Sequence, residues 1–202
     1  MMTMKFSLAL CLFAFASCAS VVHNSVQEAP AGAATPSTKA VHENRVSIYL
    51  GQRGFDEDDY APVEDQATFG FEFAHETVGS AVGFEVGLLG SSDESSAAGF
   101  DVEGSSGELY AGVRKTFGEG VARPYLGGGL SFIHSEFEVS GFGSDDDQSA
   151  ALYVHGGVLF DVSESFFVGL DLRLLLGSDL EIAGVETDAD YSQFALVAGV
   201  SF

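Results

Sequence analysis

Residues 194–202 read Phe194-Ala195-Leu196-Val197-Ala198-Gly199-Val200-Ser201-Phe202. Every second residue from Phe194 to Phe202 is apolar, and the residues between them are mostly small or polar. A period of two is typical of a β-strand, because successive side chains of a strand point to opposite faces. The stretch therefore predicts a β-strand whose apolar face continues to the last aromatic side chain.

The same alternation recurs in seven earlier segments, which begin near Asn44. Their apolar positions are Val46, Ile48 and Leu50; Phe69, Phe71 and Phe73; Val82, Phe84, Val86 and Leu88; Leu109, Ala111 and Val113; Leu126, Gly128, Leu130 and Phe132; Leu152, Val154, Gly156, Val158 and Phe160; Val168, Leu170, Leu172 and Leu174. Each segment spans roughly nine to eleven residues, the length at which a tilted strand crosses a bilayer. Together with 194–202 they make eight, and bacterial single-chain barrels have an even number of strands.

The connections between the segments fall into two classes. Short ones occupy 75–79, 118–122 and 161–164, and long ones occupy 52–66, 90–107, 135–149 and 177–190. Alternation of short and long connections is typical of outer-membrane barrels, where short turns face the periplasm and long loops face the outside.

The other face of each segment decides between a membrane barrel and a soluble one. A soluble barrel such as a lipocalin points its apolar face inward. Here the second face carries charge, tyrosine and glycine, which a soluble core would not tolerate in this number. No run of about 20 apolar residues, the length of a membrane helix, occurs beyond the N-terminus. We therefore predict an all-β fold over 44–202, an eight-stranded antiparallel up-and-down transmembrane β-barrel in which 194–202 pairs with 46–50 and removes both sheet edges.

One further motif carries a family resemblance. The stretch Arg123-Pro124-Tyr125-Leu126-Gly127-Gly128-Gly129-Leu130 resembles the Pro-Tyr-x-Gly-x-Gly strand of the small eight-stranded outer-membrane β-barrel family, the OmpA/OmpX/OmpW-like group. The resemblance implies location in the outer membrane of a Gram-negative-type bacterium, with Phe194 and Phe202 as parts of the signal that the barrel assembly machinery recognises. That machinery and outer-membrane lipid are then the expected partners of a monomer. It implies no single activity, because relatives include structural anchors, adhesins, small channels and lipid-modifying enzymes.

The N-terminus has the pattern of an export signal. Lys5 precedes a short apolar run that extends to Ala16, and small residues follow. Phe15-Ala16-Ser17-Cys18 resembles the lipobox of bacterial lipoproteins, so residues 1–17 would be removed and Cys18 acylated; ordinary cleavage after residue 19 is the alternative. We favour acylation, because 18–43 has the composition of a flexible periplasmic linker. Cys11 would be removed in either case, so no disulfide is expected.

The second face of the predicted strands should line the barrel interior. The inward set comprises Arg45, Tyr49, Arg53, Glu72, Glu85, Glu108, Tyr110, Arg114, Tyr125, Tyr153, His155, Asp171, Arg173, Tyr191 and Gln193. Four carboxylates (Glu72, Glu85, Glu108, Asp171) balance four guanidiniums (Arg45, Arg53, Arg114, Arg173), as a closed interior requires. An eight-stranded barrel is about filled by its own side chains. We therefore expect a plugged, salt-bridged lumen, and a narrow channel that uses gaps beside the inward glycines is the alternative.

A lipid-modifying enzyme is a third hypothesis. Lipid A deacylases of similar size place a His and a Ser two positions apart on one strand face, near a carboxylate. His134 and Ser135 are adjacent and should face opposite sides, and Gly157 stands where the partner of His155 would be. We therefore predict no enzymatic activity.

The charge of the chain is concentrated in the long connections. Formal net charge is −22, and the four long connections hold 20 of the 30 acidic residues. A strongly anionic outside disfavours nucleic acid. The runs that contain Asp56, Asp58 and Asp59 and Asp145, Asp146 and Asp147 offer hard oxygen ligands suited to Ca²⁺ or Mg²⁺, with a solvated, repulsive surface as the alternative. No cofactor is otherwise expected, and the predicted role is structural or adhesin-like.

Overall fold

The computed structural model describes residues 42–56, 60–77, 80–97, 100–118, 120–141, 143–182 and 185–202. Its strands are β1 (His42–Phe55), β2 (Asp65–Thr77), β3 (Gly83–Ala97), β4 (Phe100–Thr116), β5 (Ala122–Val139), β6 (Gly143–Asp161), β7 (Phe166–Leu176), β8 (Leu180–Ile182), β9 (Val185–Thr187) and β10 (Tyr191–Ser201). In these residues no helix has both the length and the apolar character needed to cross a membrane. Cys18 and most of the predicted linker lie outside the described residues.

Eight strands form one closed barrel in the order β1-β10-β7-β6-β5-β4-β3-β2, and β8 pairs with β9 in a separate hairpin. All neighbouring strands are antiparallel, so the predicted fold is confirmed. The closing pair is β1 with β10, in the register Val46↔Val200 and Leu50↔Leu196. Closure satisfies the backbone hydrogen bonds of both strands, as hydrocarbon surroundings demand.

The period-two pattern separates the two surfaces of the barrel wall. Leu50, Phe71 and Leu172 are 58%, 58% and 63% exposed, whereas Tyr49 is 2% exposed. The outward apolar residues form a continuous band, here called the apolar belt, which includes residues 46–50, 69–73, 84–88, 109–113, 126–132, 152–160, 166–176 and 194–200. In water such a band would be unstable, and in a bilayer it meets lipid.

For two of the four predicted long loops, the prediction of a loop is wrong. The regions 90–107 and 135–149 are mostly strand, because β3 and β4 pair as far as Ala97↔Phe100 and β5 and β6 pair as far as Val139↔Gly143. Pairing of β4 with β5 joins the two hairpins into one sheet beyond the apolar belt. We call this part, residues 91–97, 100–107, 133–139 and 143–149, the outer sheet. Most of its residues are polar, and in β3 and β6 both faces are polar, so hydropathy alternation does not reveal these strands.

Candidate functional site in the barrel interior

Charged side chains fill the barrel interior in three groups along its axis. The outer triad is Arg53, Glu108 and Arg173. The central cluster is Glu72, Glu85, Arg114, His155 and Asp171. The periplasmic-end cluster is Glu43, Arg45, Glu76, Arg123 and Asp161. Alternation along each strand places these residues inward, and the antiparallel register brings side chains from distant strands to one level.

The outer triad is centred on one carboxylate. Glu108 accepts hydrogen bonds from Arg53 Nη2 at 2.9 Å and from Arg173 Nη2 at 2.6 Å. The hydroxyl groups of Ser131, at 2.7 Å, and of Tyr191 donate to the same carboxylate. The side chains of the triad are at most 2% exposed. Two guanidiniums therefore share one anion, and the hydroxyls complete its coordination.

Tyrosine rings hold the guanidiniums in place. The Cζ atom of Arg53 lies 3.8 Å from the ring centroid of Tyr191. Arg173 lies between the rings of Tyr110 and Tyr153, at 4.0 Å from each centroid. Stacking of this kind suits arginine, whose planar group binds carboxylate at its edge and an aromatic ring on its face.

The central cluster is arranged around a histidine. The His155 ring lies 2.9 Å from Glu85 through Nε2 and 3.0 Å from Asp171 through Nδ1. Glu72 accepts hydrogen bonds from Arg114 and from the Tyr110 hydroxyl. All five charged or titratable members of the cluster are buried.

Further phenols complete the central cluster. The Tyr153 hydroxyl donates to Glu85 at 2.7 Å, and the Tyr125 hydroxyl donates to Asp171. The three carboxylates of the cluster thus each have at least two hydrogen-bonding contacts.

The periplasmic-end cluster includes four residues that were not predicted to face the interior, Glu43, Glu76, Arg123 and Asp161. Arg45 binds Glu43 at 2.9 Å and Glu76 at 2.7 Å, and Arg123 binds Glu43 at 2.7 Å and Asp161 at 2.6 Å. Arg45 therefore binds two carboxylates that lie outside the predicted set of four. Glu43 was placed in the linker and Glu76 in a turn, whereas β1 and β2 extend past the apolar belt to include both.

The electrostatics of Glu43 follow from these contacts. Burial acts to raise the pKa of the Glu43 carboxyl, but the hydrogen bonds and positive charges of Arg45 and Arg123 outweigh burial and lower the pKa to about 2. The carboxylate lies before Val46, outside the apolar belt, and it is ionised at neutral pH.

An aromatic cap closes the outer end of the interior. The rings of Phe55 and Tyr60 stack with centroids 4.0 Å apart, and Phe137 lies 4.9 Å from Tyr60. Tyr60 and Val63 are 1% and 0% exposed, although both belong to the predicted first loop. The only signal in the sequence is an aromatic and an apolar residue inside an acidic segment, which does not reveal that Tyr60 and Val63 are buried.

The His–Ser arrangement of a lipid deacylase is absent from the described residues. Both ring nitrogens of His155 face carboxylates, and a Cβ at Gly127 would lie 2.4 Å from its Nε2. His134 is exposed and Ser135 is buried, so the two point to opposite faces. Ser135 instead accepts a hydrogen bond from the Tyr60 hydroxyl at 3.1 Å.

The predicted cation ligands do not converge where they are described. Asp145 and Asp147 point to the face of β6 opposite that of Asp146, and Asp58 and Asp59 lie outside the described residues. Asp147 accepts the backbone N–H of Glu181 at 2.8 Å, and this bond and that of the Gln148 N–H lower the pKa of Asp147. Asp56 is exposed directly after the end of β1. A Ca²⁺ or Mg²⁺ site at these positions stays a prediction.

A row of like charges crosses the outer sheet. The register pairs Glu94 with Glu103 and Glu103 with Glu138, so the three carboxylates lie side by side on one face of β3, β4 and β5. All three are exposed. Like charges directly opposite each other in a sheet are destabilising.

The two predicted assembly-signal aromatics lie on the outer wall. Phe194 is 48% exposed and Phe202 is 69% exposed. The backbone of Phe202 exchanges hydrogen bonds with that of Asn44, at 2.9 and 3.0 Å. Their recognition by the assembly machinery stays a prediction.

Comparisons with known proteins agree with this architecture. A family model described as outer membrane protein β-barrel domain matches residues 11–202. No curated protein matched the chain. The crystal structure of Ail, the attachment invasion locus protein of Yersinia pestis, is similar with a TM-score of 0.56 and 17% identity, over 79% of this chain and 98% of that chain.

Two further structures show the same likeness. Ail in complex with the heparin analogue sucrose octasulfate has a TM-score of 0.56 and 18% identity, over 80% of this chain and 99% of that chain. A major outer membrane protein from Thermus thermophilus has a TM-score of 0.53 and 12% identity, over 80% of this chain and 99% of that chain. At these identities the likeness concerns the fold.

Proposed function

The chain belongs to the outer membrane protein β-barrel domain family, and we propose that it acts at the cell surface through its outer sheet, with the barrel as a closed anchor. Location in the outer membrane follows from the family. The choice of a surface-interaction role over transport or catalysis depends on how the interior is filled.

The observation that carries the proposal is the packing of the interior. In the outer triad, three side chains from β1, β4 and β7 meet in the barrel interior, and at most 2% of each side chain is exposed. The aromatic cap of Phe55, Tyr60 and Phe137 lies above them. A solute would have to separate these ion pairs and displace the cap, and breaking buried ion pairs is costly.

The outer sheet is the surface left for interaction. On β5 the last outward apolar residue of the belt is Phe132, yet the strand continues to Val139. The strand from 133 to 139 therefore adds roughly 23 Å at about 3.3 Å per residue. A sheet of this extent projects past the headgroup region and presents its outward face to large partners.

The charge of that surface favours partners with basic patches. The row of Glu94, Glu103 and Glu138 and the acidic strand of β6 make the sheet anionic. Sulfated ligands such as the heparin analogue bound by Ail would be repelled here, although the folds are alike. We propose a cationic protein surface as the partner class.

Planar-bilayer recording tests the closed anchor. Purified full-length protein should give no stable unitary conductance steps in a planar bilayer. A porin incorporated at the same density serves as the control and should conduct. Reproducible steps that survive repurification would overturn the closed interior and would favour the narrow channel.

A binding experiment tests the outer sheet. Protein in lipid nanodiscs should bind polylysine in a salt-sensitive manner and should not bind heparin, because attraction between exposed charges is screened over about 8 to 10 Å at physiological salt. A triple variant Glu94→Gln, Glu103→Gln and Glu138→Gln should bind polylysine more weakly. A matched control, Glu164→Gln in the short turn between β6 and β7, should bind as the parent does. Equal binding by the triple variant and the parent would contradict the proposed surface.

A further inference from the structure

The central cluster holds the donor set of a transition-metal site. Glu72, Glu85 and His155 each offer one ligand atom, and these atoms all lie within 4.8 Å of one another. We propose that the barrel interior binds one divalent transition-metal ion of the Zn²⁺ class through these three side chains. Carboxylate oxygen and imidazole nitrogen are ligands that zinc accepts, and three protein ligands leave a fourth position for water.

The distance between two of the three donors, those of His155 and Glu85, is close to that around a tetrahedral ion. Bonds of about 2.0 to 2.2 Å place neighbouring ligand atoms about 3.3 Å apart. His155 Nε2 lies 2.9 and 3.1 Å from the two oxygens of Glu85, so a shift of a few tenths of an ångström would admit the ion. Glu72 comes from the strand next to that of Glu85 and needs to approach from within 4.8 Å. The backbone leaves room because residue 127 is glycine: a Cβ there would lie 2.4 Å from Nε2 and 2.7 Å from Glu85 Oε1.

Asp171 is placed as the residue that orients the imidazole. Its carboxylate lies 3.0 Å from His155 Nδ1, the nitrogen opposite the proposed ligand atom. Metal-bound histidines almost always donate their second N–H to a carboxylate or carbonyl, which fixes the tautomer and aims the other nitrogen. The arrangement of Asp171, His155 and Glu85 matches that pattern. Asp171 is thus a positioning residue.

The charge of the central cluster also calls for a divalent cation. In the described part of the chain, Arg114 is the one guanidinium that hydrogen-bonds to Glu72, Glu85 or Asp171. Three carboxylates therefore face a single arginine, in a buried setting where unpaired charge is costly. With a neutral His155, a divalent ion makes the cluster electrically neutral, whereas an imidazolium at His155 without the ion leaves the cluster with one net negative charge.

A buried polar group points independently to a ligand at this level. The hydroxyl of Tyr49, a residue 2% exposed, has no hydrogen-bond partner among the described residues. Tyr49 pairs with Gly70 across β1 and β2, and Glu72 is the next inward residue along β2. Water on the fourth position of the metal would supply the partner that a buried hydroxyl requires.

Metal analysis of the folded protein tests the site. Full-length protein refolded in detergent with ZnCl₂ and then dialysed should retain about one zinc per chain by plasma mass spectrometry. His155→Gln should retain only background metal, and His134→Gln, which changes an exposed histidine on the same barrel, should retain as much as the parent. Asp171→Asn should bind zinc about 10- to 100-fold more weakly, because it keeps the three ligands and removes the orienting carboxylate.

Cobalt provides a second measurement. Co²⁺ in place of zinc should give the visible absorption bands of a four-coordinate ion in the parent, and Glu72→Gln should remove them while the barrel remains heat-modifiable on electrophoresis. If His155→Gln fails to fold, the cobalt spectrum of Glu72→Gln decides. Absence of bound metal in the folded parent, or equal retention by the parent and a folded ligand variant, would overturn the site and would leave His155 as an imidazolium held by Glu85 and Asp171.

Discussion

The interior of the barrel and the outer sheet both carry many acidic residues but treat their charge in opposite ways. In the interior, Glu108 contacts two guanidiniums and two hydroxyls and is fully buried. In the outer sheet, Glu103 lies between two other glutamates and is exposed. The difference teaches that burial decides how much a charge matters: a buried carboxylate needs partners at short range, whereas water and salt screen an exposed one.

The largest effect should come from removing the central anion of the outer triad. Glu108→Gln leaves the guanidiniums of Arg53 and Arg173 buried without a counter-charge, and breaking such a pair costs about 3 to 5 kcal/mol. Urea unfolding of the protein in phospholipid vesicles measures the change in the free energy of unfolding. The matched control Glu138→Gln in the outer sheet should change stability by less than about 0.5 kcal/mol. Similar changes in the free energy of unfolding for the two substitutions would contradict the proposed difference between the interior and the outer sheet.

The apolar belt gives the next largest effect. Leu172 is 63% exposed in the middle of β7, and Leu172→Arg should destabilise the barrel by about 2 to 4 kcal/mol in vesicles because the charge would face hydrocarbon. Ser144→Arg, at an exposed position of the outer sheet, should cost less than about 0.5 kcal/mol. The same unfolding assay applies. A tolerated arginine at Leu172 would mean that this wall does not face lipid.

An intermediate effect should appear at the periplasmic end as acid sensitivity. The pKa of Glu43 is about 2 in the folded barrel, below its ordinary value of 4.5, so the stabilisation from its ion pairs is fully present above pH 4.5 and is lost as pH falls toward 2. The difference in unfolding free energy between the parent and Glu43→Gln should therefore be constant above about pH 5 and shrink below it. Urea midpoints measured between about pH 2 and pH 7 follow the change. A difference that does not depend on pH would show that the carboxylate is not held by Arg45 and Arg123.

The smallest effect should come from relieving repulsion in the outer sheet. Glu103→Gln removes the middle charge of three and should stabilise the protein by about 0.2 to 1 kcal/mol at low salt, because like charges directly opposite each other repel. The gain should fade as NaCl is raised, since exposed charges are screened. Asp93→Asn is the matched control, because Asp93 lies opposite Gly104 rather than another carboxylate. A gain that is independent of salt would point to a cause other than repulsion.

The sequence predicted the barrel because alternation is a local property. Within a segment of five residues, such as Val46–Leu50 or Phe69–Phe73, the alternation already shows which side chains face outward. Eight consecutive segments with the same alternation are compatible with few architectures. The outer sheet escaped this reasoning, because Ser91 to Glu94 and Asp145 to Asp147 are polar on both faces. Only their pairing with neighbouring strands makes them β-structure.

The candidate site was predictable by composition but not by pairing. Alternation placed Glu85, His155 and Asp171 on the inward face, yet no local pattern shows that His155 lies between the two carboxylates. That contact depends on strands far apart in the sequence and on the stagger between them. Glu43 was assigned to the linker and Glu76 to a turn, because no alternating apolar residues indicate where these strands end.

By itself, then, the sequence determined which side chains face lipid and which face inward, because the period of a strand is set by backbone geometry alone. The tertiary structure decided which charges meet, how Tyr60 closes the outer end, and that Glu72, Glu85 and His155 converge. Those outcomes depend on the register and closure of the whole barrel, which bring distant residues to hydrogen-bond distance, as in the contact of Tyr191 with Glu108 across 83 positions of the chain.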